Sequence, residues 1–175
     1  MTNGKDPSVH ASAVLVGNRA VLIRGPSGSG KSRLAFDLIM AGRSGQIPPA
    51  VLVGDDRVHL ETSQGQIVVR PAPELTGLIE IRGLGIRRCG FIGEGVVGLV
   101  VDLSAADAER LPAPEALLTR IHGVQIPRIP VKSNYAALPL VVATLITTSS
   151  SVPDQPPDDC LKGFGNHMMP SIATE

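Results

Sequence analysis

Residues 25–32, with the sequence GPSGSGKS, are of the types that hold the phosphates of a nucleotide. They match the pattern G-x-x-x-x-G-K-[ST] and lie between an apolar segment and a segment with helical periodicity. In such a loop the backbone N–H groups point inward at an anion, and the positive end of the following helix adds to the attraction. The loop predicts a polyphosphate site formed by Gly25, Pro26, Ser27, Gly28, Ser29, Gly30, Lys31 and Ser32, with Lys31 on the terminal phosphates and Ser32 on Mg²⁺.

Two adjacent carboxylates, Asp55 and Asp56, end the apolar segment VLVG. A carboxylate at the end of a buried strand commonly lies beside the metal and the terminal phosphate of a bound nucleotide. Because successive side chains of an extended chain point to opposite faces, we expect the two acids to have different roles. One of them could take a proton from an incoming hydroxyl, as a general base does. His10, upstream of the first strand, could orient an acid or tune its proton affinity.

The elements that must position these residues indicate an α/β fold. Apolar segments at residues 12–16 and 20–24 flank Gly17-Asn18, a pair suited to a tight hairpin, and residues 58–62 and 66–70 flank a second turn. Apolar residues at helical spacing over residues 34–39 predict a helix directly after the phosphate loop. The strand-loop-helix-strand order predicts parallel strands, and the hairpins add antiparallel ones. We therefore expect a mixed sheet with flanking helices.

The composition disfavours a nucleic-acid-binding protein and a membrane protein. The 175 residues carry 16 basic and 16 acidic side chains and only 2% aromatic residues, which disfavours a nucleic-acid surface. No apolar run reaches the length of about 18 residues that indicates a membrane span, so we expect a cytoplasmic protein without membrane contact. Residues 1–148 are expected to form one domain. The Ser-, Pro- and Asp-rich residues 149–175 are expected to be a disordered tail.

Three segments together resemble the catalytic C-terminal domain of HPr kinase/phosphorylase, which phosphorylates a serine of the phosphocarrier protein HPr. They are VHASAVLVGNRAVLIRGPSGSGKS, VLVGDDRV and PAPELTGLIEIRGLGI. The resemblance covers residues 8–145 and implies the P-loop-containing HPr kinase/PEP carboxykinase-like core. It further implies an HPr-like phosphocarrier as partner and a homo-oligomer, a hexamer in the family. The chain begins almost at His10, which predicts the short form without the family's N-terminal domain.

The resemblance also implies catalytic roles at matching positions. His10 would be the active-site histidine. Asp55 would accept the serine proton, with Asp56 supporting it. Arg82 lies in the stretch that the family uses in both of its reactions. Arg110, in AERLPAPE, would be the counterpart of a further catalytic arginine.

The same resemblance implies ATP and Mg²⁺ as cofactors. Lys31 would hold the transferred phosphate as a catalytic residue, and Ser32 and Glu80 would bind the metal. The late segment RIPVKSNYA lacks the Gly-Arg pair that serves dephosphorylation in the family. The sequence therefore predicts the kinase reaction and leaves the phosphorylase reaction open. Two alternatives remain: a P-loop kinase of a small metabolite, and a nucleotide-sensing module without catalysis.

Overall fold

The computed structural model describes residues 8–147, which form ten strands and two α-helices. The strands are β1 (Ser12–Val16), β2 (Arg19–Arg24), β3 (Ala50–Gly54), β4 (Val58–Ser63), β5 (Gln66–Pro71), β6 (Leu78–Ile81), β7 (Gly85–Arg88), β8 (Gly95–Leu103), β9 (Leu118–Ile121) and β10 (Val124–Val131). The helices are α1 (Lys31–Arg43) and α2 (Ala137–Ile146). The tail predicted for residues 149–175 lies outside the described residues.

Eight of these strands form one mixed sheet, so the predicted α/β fold is confirmed. The main path has the order β3-β1-β2-β8-β10-β9, and the β4–β5 hairpin joins through pairing of β5 with β8. Strand β8 runs parallel to both β2 and β10, and the other pairs of the sheet are antiparallel. The two predicted hairpins are both present. Strands β6 and β7 form a separate two-stranded ribbon.

Strands β2 and β3 run in the same direction, but β1 lies between them in the sheet. Strand β3 does not pair with β2, because the Gly17-Asn18 turn folds β1 back onto β2 and β3 pairs with the free edge of β1. Since both of these pairings are antiparallel, β3 still runs in the same direction as β2. The parallel neighbour of β2 is β8, in the register Leu22↔Val100. The carboxyl ends of β2, β3 and β8 therefore lie at one edge of the sheet, where α/β proteins commonly bind ligands.

The core consists of two apolar clusters, one on each face of the sheet, because successive side chains of a strand point to opposite faces. Val21 and Ile23 of β2 point to the face that α1 and α2 cover, whereas Ala20 and Leu22 point to the opposite face. That opposite face packs against side chains of β4, β5 and β10. Within residues 8–147 neither helix has the length and apolarity that a membrane span requires.

An apolar stripe on α1, formed by Leu34, Ala35, Leu38 and Ile39, packs against the sheet. This packing holds in place the start of the helix, which directly follows the phosphate loop. Leu38 is fully buried in the stripe, while Met40 on the other side of the same helix is 45% exposed. We expect Leu38→Ala to lower the free energy of unfolding by about 2–5 kcal/mol, because it leaves a cavity under the helix. Met40→Ala is the matched control and should cost less than about 1 kcal/mol. Urea denaturation measures both, and equal losses would show that the helix is not anchored through this stripe.

Candidate active site

A cleft of about 690 Å³ opens beside the phosphate loop and the start of α1. This volume is in the range of small-molecule binding sites. Its walls come from four separate parts of the chain: the loop and α1, the segment before β1, the turn after β3, and the β6–β7 ribbon. The lining side chains and glycines are His10, Ser27, Gly28, Gly30, Lys31, Ser32, Arg33, Phe36, Asp37, Asp56, Glu80, Ile81 and Arg82.

The phosphate loop has a backbone that glycine alone allows at its two ends. A Cβ on Gly25 would lie 2.7 Å from Ser29 Oγ and 2.9 Å from the carbonyl oxygen of Leu103. Gly30 has a φ of 99° and leads directly into α1, and with Lys31 and Ser32 it lines the cleft, so the start of the helix lies at the cleft wall. The geometry is that of a loop built to surround an anion.

Lys31 lies inside this loop. Its Nζ donates to the carbonyl oxygens of Gly25 at 3.0 Å and Pro26 at 3.1 Å, and the residue is 6% exposed. Burial lowers the pKa of the amine, and the negative charges of Asp56 and Asp55 act in the opposite direction. The cation is therefore held at the base of the cleft, where a terminal phosphate would lie next to it.

Asp56 and His10 face the cleft as a pair. His10 Nε2 lies 3.1 Å from Asp56 Oδ1, and the two side chains are 44% and 61% exposed. Asp56 has a φ of 66°, a left-handed conformation that turns the chain sharply after β3 and directs the carboxylate outward. Reciprocal backbone hydrogen bonds between Val9 and Val58 hold the residue before His10 against the start of β4. A carboxylate with an imidazole at this distance can accept a proton from a hydroxyl.

Asp55 has an environment opposite to the one that its implied role as proton acceptor requires. Its side chain is 2% exposed and does not line the cleft. Oδ1 accepts the hydroxyl hydrogen of Ser12 at 2.5 Å, and Oδ2 accepts the backbone N–H of Glu80 at 3.1 Å. The two acids do point in different directions, but strand alternation is not the reason: β3 ends at Gly54, and the left-handed φ of Asp56 separates the two carboxylates. The buried carboxylate thus joins β1, β3 and β6.

Glu80 and Arg82 project from the β6–β7 ribbon into the same cleft. Both are exposed, and in the described part of the chain they form no ion pair with each other. Together with Ser32, Glu80 offers oxygen ligands of the kind that Mg²⁺ prefers. Residues 8–147 contain no group of three His, Cys, Asp or Glu that could hold a metal by itself. This donor set fits a magnesium ion that also binds substrate phosphates, as is usual for Mg²⁺.

Arg110 is not part of the cleft. It lies exposed in the connection between β8 and β9, and the cleft lining does not include it. Its match to a family segment rests on local sequence, and local sequence carries no information about which loops approach the phosphate. Its catalytic role stays a prediction.

Several residues of the site were not identified from the sequence. Ser12 is fully buried, and a hydroxyl within the apolar segment SAVLV was a signal that it needs a polar partner. Arg33, Phe36 and Asp37 occupy the cleft side of α1, and Arg33 Nε lies 3.1 Å from Asp37 Oδ2. Helical spacing could place these three on one face, but nothing local indicated that this face borders the cleft.

Comparisons with known proteins identify relatives of this chain. The family model described as the HPr Serine kinase C-terminal domain matches residues 3–149. The HPr kinase/phosphorylase of Enterococcus faecalis is 38% identical over 140 residues, which are 72% of this chain and 42% of that protein. The HPr kinase/phosphorylase of Mycoplasma mycoides is 39% identical over 101 residues, 54% of this chain and 30% of that protein.

A solved structure agrees with these sequence matches. The Hpr(Ser) kinase/phosphatase from Coxiella burnetii superposes with a TM-score of 0.63 at 26% identity, covering 81% of this chain and 94% of that one. The chain spans 30–42% of the length of the curated relatives named above. A model match over residues 3–149, on a fold that brings the phosphate loop, Asp56 and Glu80 to one cleft, shows that the chain belongs to the HPr serine kinase C-terminal domain family.

Proposed function

We propose that this domain transfers a phosphoryl group from ATP to a serine hydroxyl of HPr or an HPr-like phosphocarrier, with Mg²⁺ as cofactor. The observation that carries the proposal is that the phosphate loop and the Asp56–His10 pair line the same cleft. A loop that only binds nucleotide needs no carboxylate–imidazole pair beside it, whereas transfer to a hydroxyl does. This favours a kinase over a nucleotide-sensing module.

The phosphates would lie on the N–H groups of residues 25–32 and the start of α1. Lys31 exchanges its contacts with the Gly25 and Pro26 carbonyls for contacts with phosphate oxygens, where its charge offsets the charge that develops during transfer. Ser32 and Glu80 would hold Mg²⁺, which when bound supplies further neutralisation of phosphate charge. No residue of the cleft identifies the base of the nucleotide, so ATP is proposed from the family and pyrophosphate is the competing donor.

Asp56 is the residue we propose as the general base. Its carboxylate is open to the cleft. With its hydrogen on Nε2, His10 would donate a hydrogen bond to Oδ1, and this bond would hold the carboxylate in one orientation. The other carboxylate oxygen is then free to take the proton of the serine hydroxyl. The base role that the resemblance implied for Asp55 is thereby assigned to Asp56.

Asp55 would act instead as a positioning residue. Both of its oxygens are occupied, one by Ser12 and the other by the N–H of Glu80. It therefore fixes the backbone of the metal-binding Glu80 relative to Asp56. Its charge also supports the protonated form of Lys31.

The acceptor side of the cleft suits a protein better than a small metabolite. Helix α2 contributes no residue to the lining, and in the described part of the chain no helix other than α1 borders the cleft. Phe36 and Ile81 give this side an apolar wall, and Arg82 a positive charge. The phosphorylase reaction, the hexamer and the cytoplasmic location stay predictions from the family resemblance.

The proposal predicts phosphoserine on HPr when the chain is incubated with radiolabelled ATP, Mg²⁺ and HPr. EDTA should abolish the label, because the charge on the phosphates is then not neutralised. The matched control is HPr in which the acceptor serine is replaced by alanine. A parallel incubation replaces HPr with a panel of small metabolites. Label on a metabolite and not on HPr would favour the metabolite kinase, and no label on any acceptor would favour the nucleotide sensor.

Asp56→Asn should lower the rate constant of transfer by about 10²–10⁴-fold, the usual contribution of a general base. The affinity for ATP should change little, because the carboxylate is not needed to hold the phosphates. Asp37→Asn removes another carboxylate that lines the same cleft but is paired with Arg33, and it should leave the rate constant within about threefold of wild type. Similar losses in both variants would indicate a general effect of charge and not a base at Asp56.

Stability separates the roles of the two neighbouring acids. Asp55→Asn should lower the free energy of unfolding by about 1–3 kcal/mol, because Ser12 and the N–H of Glu80 donate to different carboxylate oxygens and the substitution turns one of these acceptors into an NH₂ donor. Asp56→Asn should change it by less than about 0.5 kcal/mol, since that side chain is exposed. Urea denaturation of the two variants measures the difference. The reverse order would contradict the positioning role of Asp55.

A further inference from the structure

Four charged side chains form a continuous network behind the phosphate loop. Arg24 Nε and Nη2 donate to Asp102 Oδ1 and Oδ2 at 2.7 and 2.8 Å. Arg128 Nε donates to Asp102 Oδ2 at 2.5 Å. The remaining nitrogens of Arg128, Nη1 and Nη2, donate to the two oxygens of Asp107 at 2.6 and 2.9 Å. Two arginines and two carboxylates thus alternate in one line.

One end of this network adjoins the phosphate loop. Arg24 is the last residue of β2 and directly precedes Gly25. The residue after Asp102 supports the loop as well, because the backbone of Leu103 lies so close to Gly25 that no side chain fits between them. The backbone on which the loop rests is therefore held from two sides by Asp102 and its neighbour.

The other end holds residues 104–117, the connection from β8 towards β9. Arg128 binds this segment twice, through the Asp107 carboxylate and through the carbonyl oxygen of Ala116 at 2.9 Å. A backbone hydrogen bond from Ala105 to Val131 fixes the start of the segment. Arg110 lies between these anchor points, exposed and three residues beyond Asp107.

The two arginines stabilise the charged form of both carboxylates in this network. Burial by itself disfavours the charged form of Asp102, but hydrogen bonds from Arg24 and Arg128 lower its pKa below the ordinary value. The hydrogen bond with Arg128 likewise lowers the pKa of Asp107. Bidentate arginine–carboxylate pairs of this kind define an orientation as well as a distance, which a single lysine contact does not.

We infer that Asp102 and Arg128 are positioning residues that couple the phosphate loop to residues 104–117, so that occupation of the loop also orders this segment and the Arg110 it carries. The inference rests on the proposed function for the identity of the occupant, which is taken to be Mg²⁺-ATP. Binding restricts the remaining motion of the backbone of residues 25–32, and the network passes that restriction through Arg24, Asp102 and Arg128 to Asp107.

Amide hydrogen exchange of the full chain, with and without Mg²⁺-ATP, tests the coupling. In the wild type, exchange should slow at residues 25–32 and also at residues 104–117, the latter by about fivefold or more, the lower end of usual coupling between two sites. Asp107→Asn should keep the slowing at the loop and lose it at the segment. Asp107→Glu, which retains the carboxylate, should restore at least part of it.

The matched control is Glu94→Gln. Glu94 is one of two acids bound to Arg70 in the β4–β5 region, and it is 60% exposed compared with 52% for Asp107. This variant should behave as the wild type. Slowing at the loop without slowing at residues 104–117, or slowing of the segment that persists in Asp107→Asn, would overturn the inference and leave the proposed function intact. Absence of slowing at the loop itself would contradict the proposed function and the inference together.

Discussion

The buried carboxylate of Asp55 is the contact on which the site depends. It lies 2% exposed between Ser12 of β1 and the backbone N–H of Glu80 of β6. A buried carboxylate is costly unless its oxygens accept hydrogen bonds, and these two donors come from segments far apart in the sequence. Satisfying this one group therefore brings together the strand that follows His10, the turn that carries Asp56 and the ribbon that carries Glu80. The cleft is the space enclosed by these three parts and the phosphate loop.

The phosphate loop is restrained from beneath as well as from the side. Its first glycine packs against the backbone of Leu103, and its lysine is held by loop carbonyls. The preceding Arg24 is bound by the carboxylate of β8, the parallel neighbour of β2. A loop of small residues has little rigidity of its own, since glycine loses more conformational freedom on ordering than other residues. The surrounding sheet supplies the rigidity that a phosphate site needs, because electrostatic stabilisation depends on donors that are already in place.

Much of the fold and of the site was predictable where the signal is local. The two hairpins, the helix after residue 31 and the mixed sheet followed from turn residues and periodicity. The apolar run at residues 138–147 could not be assigned to strand or helix by its composition, and it forms most of α2 because it packs against α1 and the sheet. The position of β1 between β2 and β3 was likewise not predictable from the sequence, since strand order depends on pairing between segments distant in sequence.

The sequence by itself determined which residues could do chemistry: a lysine and a serine in a phosphate loop, a histidine upstream and two adjacent acids. It also predicted that the two acids differ, but it did so from strand alternation, and both acids lie beyond the last residue of β3. The tertiary structure alone decided which acid is available. Asp55 points to Ser12 and Glu80, and the left-handed turn at Asp56 directs the second carboxylate to His10 and the cleft. The physical reason is that a carboxylate is buried or exposed according to the donors that other strands bring to it, and those strands meet only when the chain has folded.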